Sequence, residues 1–233
     1  MSRVNKTSGF TLIELMLSMA FVSILLLAIA MTVMEMSSIF NKGLTLKEVN
    51  QVGRSIADEL RSTIAATSPF NIKSGSSSRY IIQDWGGRLC VGQYSYIWNY
   101  GGPISNGDIM RLNVYSDSSN ILRFVKVIDP NASYCTDTTK KVVSADAVEL
   151  LNASEHDLSI HSFSINTSDS ATDLKTEQQL YNIEFTIGTN DQDALTDETG
   201  ILQCKAPGRV GADLAYCSLS SFNIVALAGN SVE

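Results

Sequence analysis

Apolar and polar positions follow three different rhythms along this chain. From Leu15 to Met34 there are 20 consecutive residues without a charge, about the length that crosses a bilayer core as a helix. After Met34 the apolar positions thin to a stripe at Val49, Val52, Ile56, Leu60 and Ile64, spaced three or four apart. Lys47, Glu48, Arg54, Asp58, Glu59 and Arg61 take most of the other face. The spacing predicts a single helix from Phe10 to Ala66, about 85 Å long at about 1.5 Å per residue. Its first half faces lipid or other apolar helices, and its second half lays one stripe on a soluble domain. Ser68-Pro69 stops it, because proline lacks an amide donor and disfavours helix in the residue before it. Gly43 and Gly53 are weak points in the second half.

Beyond a Ser/Gly-rich connector at Asn71–Ser78 the rhythm changes to short segments of strand type: Tyr80–Asp84, Tyr94–Tyr100, Ile109–Tyr115, Ile121–Ile128, Leu158–Ile165, Leu180–Ile187 and Phe222–Leu227. Tyr181, Ile183, Phe185 and Ile187 alternate with Asn182, Glu184 and Thr186, as in a half-buried strand. Gly101-Gly102-Pro103, Asn106-Gly107, Asp129-Pro130 and Pro207-Gly208 punctuate them. Few helical patterns lie between, so the sheet is expected to be mainly antiparallel. Ala145–Leu151 reads as a turn of helix. The chain therefore divides into a polar leader (1–9), an apolar helix (10–35), an amphipathic extension (36–68) and a β-rich domain (69–233), an α+β architecture.

Composition narrows the function classes. The formal net charge is −7 and Lys140-Lys141 is the only adjacent basic pair, so no phosphate-binding stripe exists and nucleic acid is not an expected partner. Cys90, Cys135, Cys204 and Cys217 all follow the apolar helix, with no CxxC pair, which argues against a zinc ribbon and for disulfides in an oxidising compartment. Four cysteines allow three pairings. Cys204–Cys217, close in sequence, is favoured, which leaves Cys90–Cys135; buried free thiols are the alternative.

The order of residues at the amino end is unusual. A secretory signal peptide is cut after its apolar region, whereas here the small residue, Gly9, precedes it. Thr11-Leu12-Ile13-Glu14 fits a capping box, and Glu14 also stands where it could pair with an ammonium created at Phe10 by a cut after Gly9. Gly9-Phe10-Thr11-Leu12-Ile13-Glu14 followed by Leu15–Met34 resembles the start of type IV prepilins and type II secretion pseudopilins. The resemblance covers about residues 1–35. It implies cleavage between Gly9 and Phe10 by a membrane prepilin peptidase, N-methylation of Phe10, and a role for Glu14 in docking the subunit into a growing fibre. The implied partners are other pilin subunits and a membrane assembly platform. The implied location is a single-pass membrane state before assembly and a pilus or periplasmic fibre afterwards. Many major pilins carry a proline where this chain has Met31, and its β-region is large. Both point to a minor, J-type subunit.

Enzyme chemistry finds little support. His156 and His161 are five apart in a strand-type segment and would point to opposite faces. Asp191, Asp193, Asp197 and Glu198 form an acidic loop with oxygen ligands suited to calcium, but Leu195 breaks the EF-hand spacing. No GKS/T loop or G-x-S-x-G elbow is present. Trp85, Tyr94, Tyr96, Trp98 and Tyr100 read as sheet core, or alternatively as a ligand surface. A fibre-tip module binding through those aromatics or through the Cys204–Cys217 loop is the alternative function.

Overall fold

The computed structural model describes residues 10–73, 75, 78–102, 104, 114–115, 122–137, 139–143, 146–151, 157–167, 178–198 and 201–229. The apolar and amphipathic stretches form one uninterrupted α-helix, α1 (Leu12–Ala65). Two compact units divide between Asn41 and Lys42. Lys42 and Thr45, at the start of the second unit, are tied to its β-domain: the Lys42 ammonium donates to the Cys217 carbonyl and the Thr45 hydroxyl to that of Ala215.

Within the unit from Lys42 onward, the α1 face carrying Val49, Gly53, Ile56, Ala57, Leu60 and Ile64 is buried. Fully burying side chains such as Ile56, Leu60 and Ile64 stabilises by about 1.5–3 kcal/mol each. Gly53, a weak point by propensity, has a packing reason: a Cβ there would overlap the ring of Phe222.

Five antiparallel strands make the first sheet: β1 (Tyr80–Gln83), β2 (Gly86–Val91), β3 (Tyr94–Asn99), β5 (Phe124–Ile128) and β7 (Ala147–Glu149), in the order β1-β2-β3-β5-β7. The second is antiparallel in the order β12-β9-β8, from β8 (Leu158–Thr167), β9 (Gln179–Thr189) and β12 (Leu219–Ala228). A bridge between Tyr100 and Ile160 links the two. A hairpin of β10 (Leu195–Glu198) and β11 (Ile201–Cys204), and a short parallel pair of β4 (Val114–Tyr115) and β6 (Val142–Val143), complete the strands.

The main core lies between α1 and the two sheets and includes Trp98, Phe124, Tyr181 and Phe185. A second cluster, with Ile97, Val125, Val127 and Tyr134, fills the other face of the first sheet beneath α2 (Ser133–Thr136). That double burial explains why β2 is absent from the sequence reading. All six of its residues are buried, so no alternation betrays it, and Gly86-Gly87 reads as a turn. Gly87 is needed because a Cβ would press into the Trp98 indole. Ala145–Leu151 is corrected: Ala147–Glu149 is a strand, paired antiparallel with β5. Of Ile109–Tyr115, only Val114–Tyr115 lies within the described residues, as β4.

Candidate functional site

The Thr11 carbonyl accepts the amides of Glu14 and Leu15, which starts α1 and puts Glu14 in its first turn, where the helix dipole favours a carboxylate. Phe10 is 77 % exposed, and every residue from Phe10 to Ser37 is exposed. A helix apolar on all sides needs a lipid or protein environment to cover it. Its hydroxyls suit one: Ser18, Ser23 and Thr32 donate to the carbonyls of Leu15, Met19 and Ile29 within their own helix. The helix is long and apolar enough to cross a membrane. Gly9 lies outside the described residues.

In the second unit α1 is fastened by polar groups that the sequence pattern did not single out. Glu59, half-buried, accepts the Lys126 ammonium at 2.5 Å and the Tyr96 hydroxyl at 2.9 Å. Thr63 completes the group, its oxygen 2.8 Å from that of Tyr96. Burial pushes the Glu59 carboxyl up, but the bonds from Lys126, Tyr96 and Thr63 together outweigh it and hold the group below its ordinary value. Lys126 also sits over the Tyr94 ring, 3.8 Å from its centroid. Just after the helix, the buried Tyr181 hydroxyl accepts the Phe70 amide at 2.7 Å and donates to the Phe70 carbonyl at 2.6 Å, with the two rings stacked. Glu59 had no signal beyond lying on the charged side of the stripe. Tyr181 read simply as an inward strand residue.

Two disulfides close the domain, Cys90–Cys135 and Cys204–Cys217, the pairing that sequence spacing favours. Around the first, Asp129 accepts from Ser95, from Ser133 and from the Tyr134 amide. Burial raises the Asp129 pKa, but these bonds, led by that from the Ser133 hydroxyl, bring it below the usual carboxylate range. Arg88, buried, donates to the carbonyls of Tyr134 and Asp137, and desolvation lowers its pKa to about 10. The second disulfide closes a loop fixed at several points. Lys205 donates to the carbonyl oxygens of Asp193 and Val210, Arg209 pairs with Glu198 at 2.6 Å, and Asp213 accepts the amides of Ala215 and Tyr216. Val210, 95 % exposed, stands on that loop.

The remaining sequence candidates disperse. Tyr96 and Trp98 are fully buried and Trp85, Tyr94 and Tyr100 partly so, so these aromatics are core rather than a ligand surface. His161 is the extra residue where the β8–β9 register shifts between Ile160 and Ser162. Its ring bonds Ser159 and the Thr189 carbonyl, and desolvation lowers its pKa. His156 lies outside the described residues. Asp191 caps the turn Gln192–Ala194 through the Asp193 amide, and Glu198 pairs with Arg209. Asp197 and His161 line an open groove of about 900 Å³ with Glu184 and Lys42. Among the described residues no group of three or more His, Cys, Asp or Glu could hold a metal ion. The chain matches no protein-family model, no curated protein and no solved structure.

Proposed function

We propose that this chain is a structural, non-enzymatic subunit of a type IV pilus-like or type II secretion fibre, in the minor, J-type position. The observation that carries the reading is the first part of α1: an exposed, apolar stretch that runs without a break into the spine of a disulfide-stapled domain. A stretch of this kind has two stable environments, a bilayer and a bundle of like helices, and a fibre subunit passes from one to the other. The peptidase cuts after Gly9 and methylates Phe10, and the subunit waits as a single-pass membrane protein until the assembly platform extracts it. Glu14 then neutralises an ammonium at Phe10 in a water-poor fibre core, where an unpaired carboxylate is costly.

Two variants test this. Replacing Gly9 with a bulky residue is expected to leave residues 1–9 attached, read by mass spectrometry. Glu14→Leu is expected to be processed normally yet missing from sheared fibres. Glu14→Leu found in fibres at the wild-type level would overturn the assembly role.

A second reading, a binding module at a fibre tip, is favoured by the Cys204–Cys217 loop. Val210 is displayed in water on a loop held by a disulfide and two basic side chains, and such preorganisation reduces the entropy lost on binding. Val210→Ser is expected to abolish adhesion of intact fibres to glycan or cell surfaces without changing fibre number; unchanged adhesion would remove this reading.

A further inference from the structure

We propose that the outer edge of β12 accepts an extended segment of a partner protein, which adds there as a further strand of the β12-β9-β8 sheet. β12 pairs with β9 along its full ten residues, from Leu219–Gly188 to Ala228–Gln179, with no bulge. In an antiparallel strand about half of the backbone N–H and C=O groups point away from the paired neighbour. Among the described residues, the backbone hydrogen bonds of Leu219–Ala228 all go to β9, and the outward row meets no other partner.

The other edges are treated differently. β1 is four residues long and β7 three. The outer edge of β8 is met by the Tyr100–Ile160 bridge and the Gly101 amide. Its Phe163 carbonyl accepts the hydroxyls of Tyr80 and Tyr100, at 3.0 and 3.3 Å. Free edges are commonly blunted by charge, proline, a bulge or shortness. β12 has none of these, and no charged residue occurs from Leu214 to Val232.

The chemistry of the edge selects the occupant. A row of alternating donors and acceptors is complementary to another extended backbone and to little else. On the open face, Ser221 and Asn223 lead to exposed Val225 and Leu227. The incoming strand is therefore uncharged, with apolar side chains beside Val225 and Leu227. A second copy of this chain fits poorly. Antiparallel pairing of β12 with itself needs a two-fold axis normal to the sheet. Because α1 packs flat on that sheet, the same axis reverses α1 end for end. Neighbouring subunits of a fibre, whose α1 segments run the same way, cannot be so related, an exclusion that rests on the proposed function.

The test uses the full chain in detergent micelles and a ten-residue peptide of alternating threonine and valine, N-methylated along one edge so that a single edge can pair. Amide hydrogen exchange within Leu219–Ala228 is expected to slow by about tenfold on adding it. A peptide methylated along both edges is expected to have no effect. Val225→Lys is expected to remove most of the protection while exchange in β9 stays unchanged, which reports that the variant is folded. Absence of protection, or equal protection by the doubly methylated peptide, overturns the proposal. So does slowing that rises with protein concentration and needs no peptide, because the occupant is then a second copy. Since no fibre is present in micelles, the outcome is independent of the fate of Glu14→Leu.

Discussion

Two residues of α1 carry consequences out of proportion to their size. Gly53 would ordinarily be improved by alanine, which favours a helix interior by about 1 kcal/mol. Here the added methyl meets the Phe222 ring, itself stacked on Phe185, and overpacking costs about 1–3 kcal/mol. Gly53→Ala is therefore expected to lower stability in denaturant titrations, and to raise it when Phe222 is also replaced by alanine. A gain in both backgrounds would mean that the ring moves aside freely. Glu59 sets a pH dependence. Its folded pKa lies below its unfolded value, so its contribution is full above the unfolded value and is lost as pH falls through the folded one. Asp129 acts in the same direction. Glu149, whose pKa burial raises against the bonds it accepts from the amides of Arg123, Leu151 and Phe124, acts in the opposite one. Glu59→Gln is expected to reduce the fall in stability below about pH 5 relative to wild type, measured by chemical denaturation in a pH series.

At the scale of elements, the long helix and six strands (β1, β3, β5, β8, β9 and β12) were readable from their periods, as in the three-to-four spacing of Val49–Ile64 and the alternation of Tyr181–Ile187. Other elements hide for physical reasons. β2 is buried on both faces, so its sequence carries no alternation. β7 is a three-residue edge whose Glu149 accepts backbone amides of Arg123, Phe124 and Leu151, a carboxylate used where a helix reading expects a solvated face. At the amino end the start of the helix was readable, and Glu14 lies in its first turn. The Glu59–Lys126 and Phe70–Tyr181 contacts span 67 and 111 residues, and no local pattern encodes them. The disulfides also belong to this scale. On a chain-entropy model the loop closed by Cys204–Cys217 is worth about 3 kcal/mol and that closed by Cys90–Cys135 about 4. Replacing Cys90 and Cys135 with serine is expected to lower the denaturation midpoint further than replacing Cys204 and Cys217. The reverse order would show that the second loop contributes native contacts beyond closure.

For the molecule as a whole, the chain combines a helix apolar enough to cross a membrane with an α+β domain cross-linked by two disulfides. The Tyr181–Phe70 contact gives that combination a mechanical meaning. Tension drawn along α1 leaves the helix at Ala65, and a few residues later it meets a side chain rooted in β9, the central strand of its sheet. Glu59 and Lys126 carry a parallel share into β5. A load entering through β9 or β5 is shared with a paired strand on each side, whereas one entering an edge strand is held on one side only. Pulled by its helix against the end of β9, the domain is expected to yield at a higher force than when pulled from the two ends of β12, and Tyr181→Phe is expected to narrow the difference. The tyrosine works as a rivet between rope and plate.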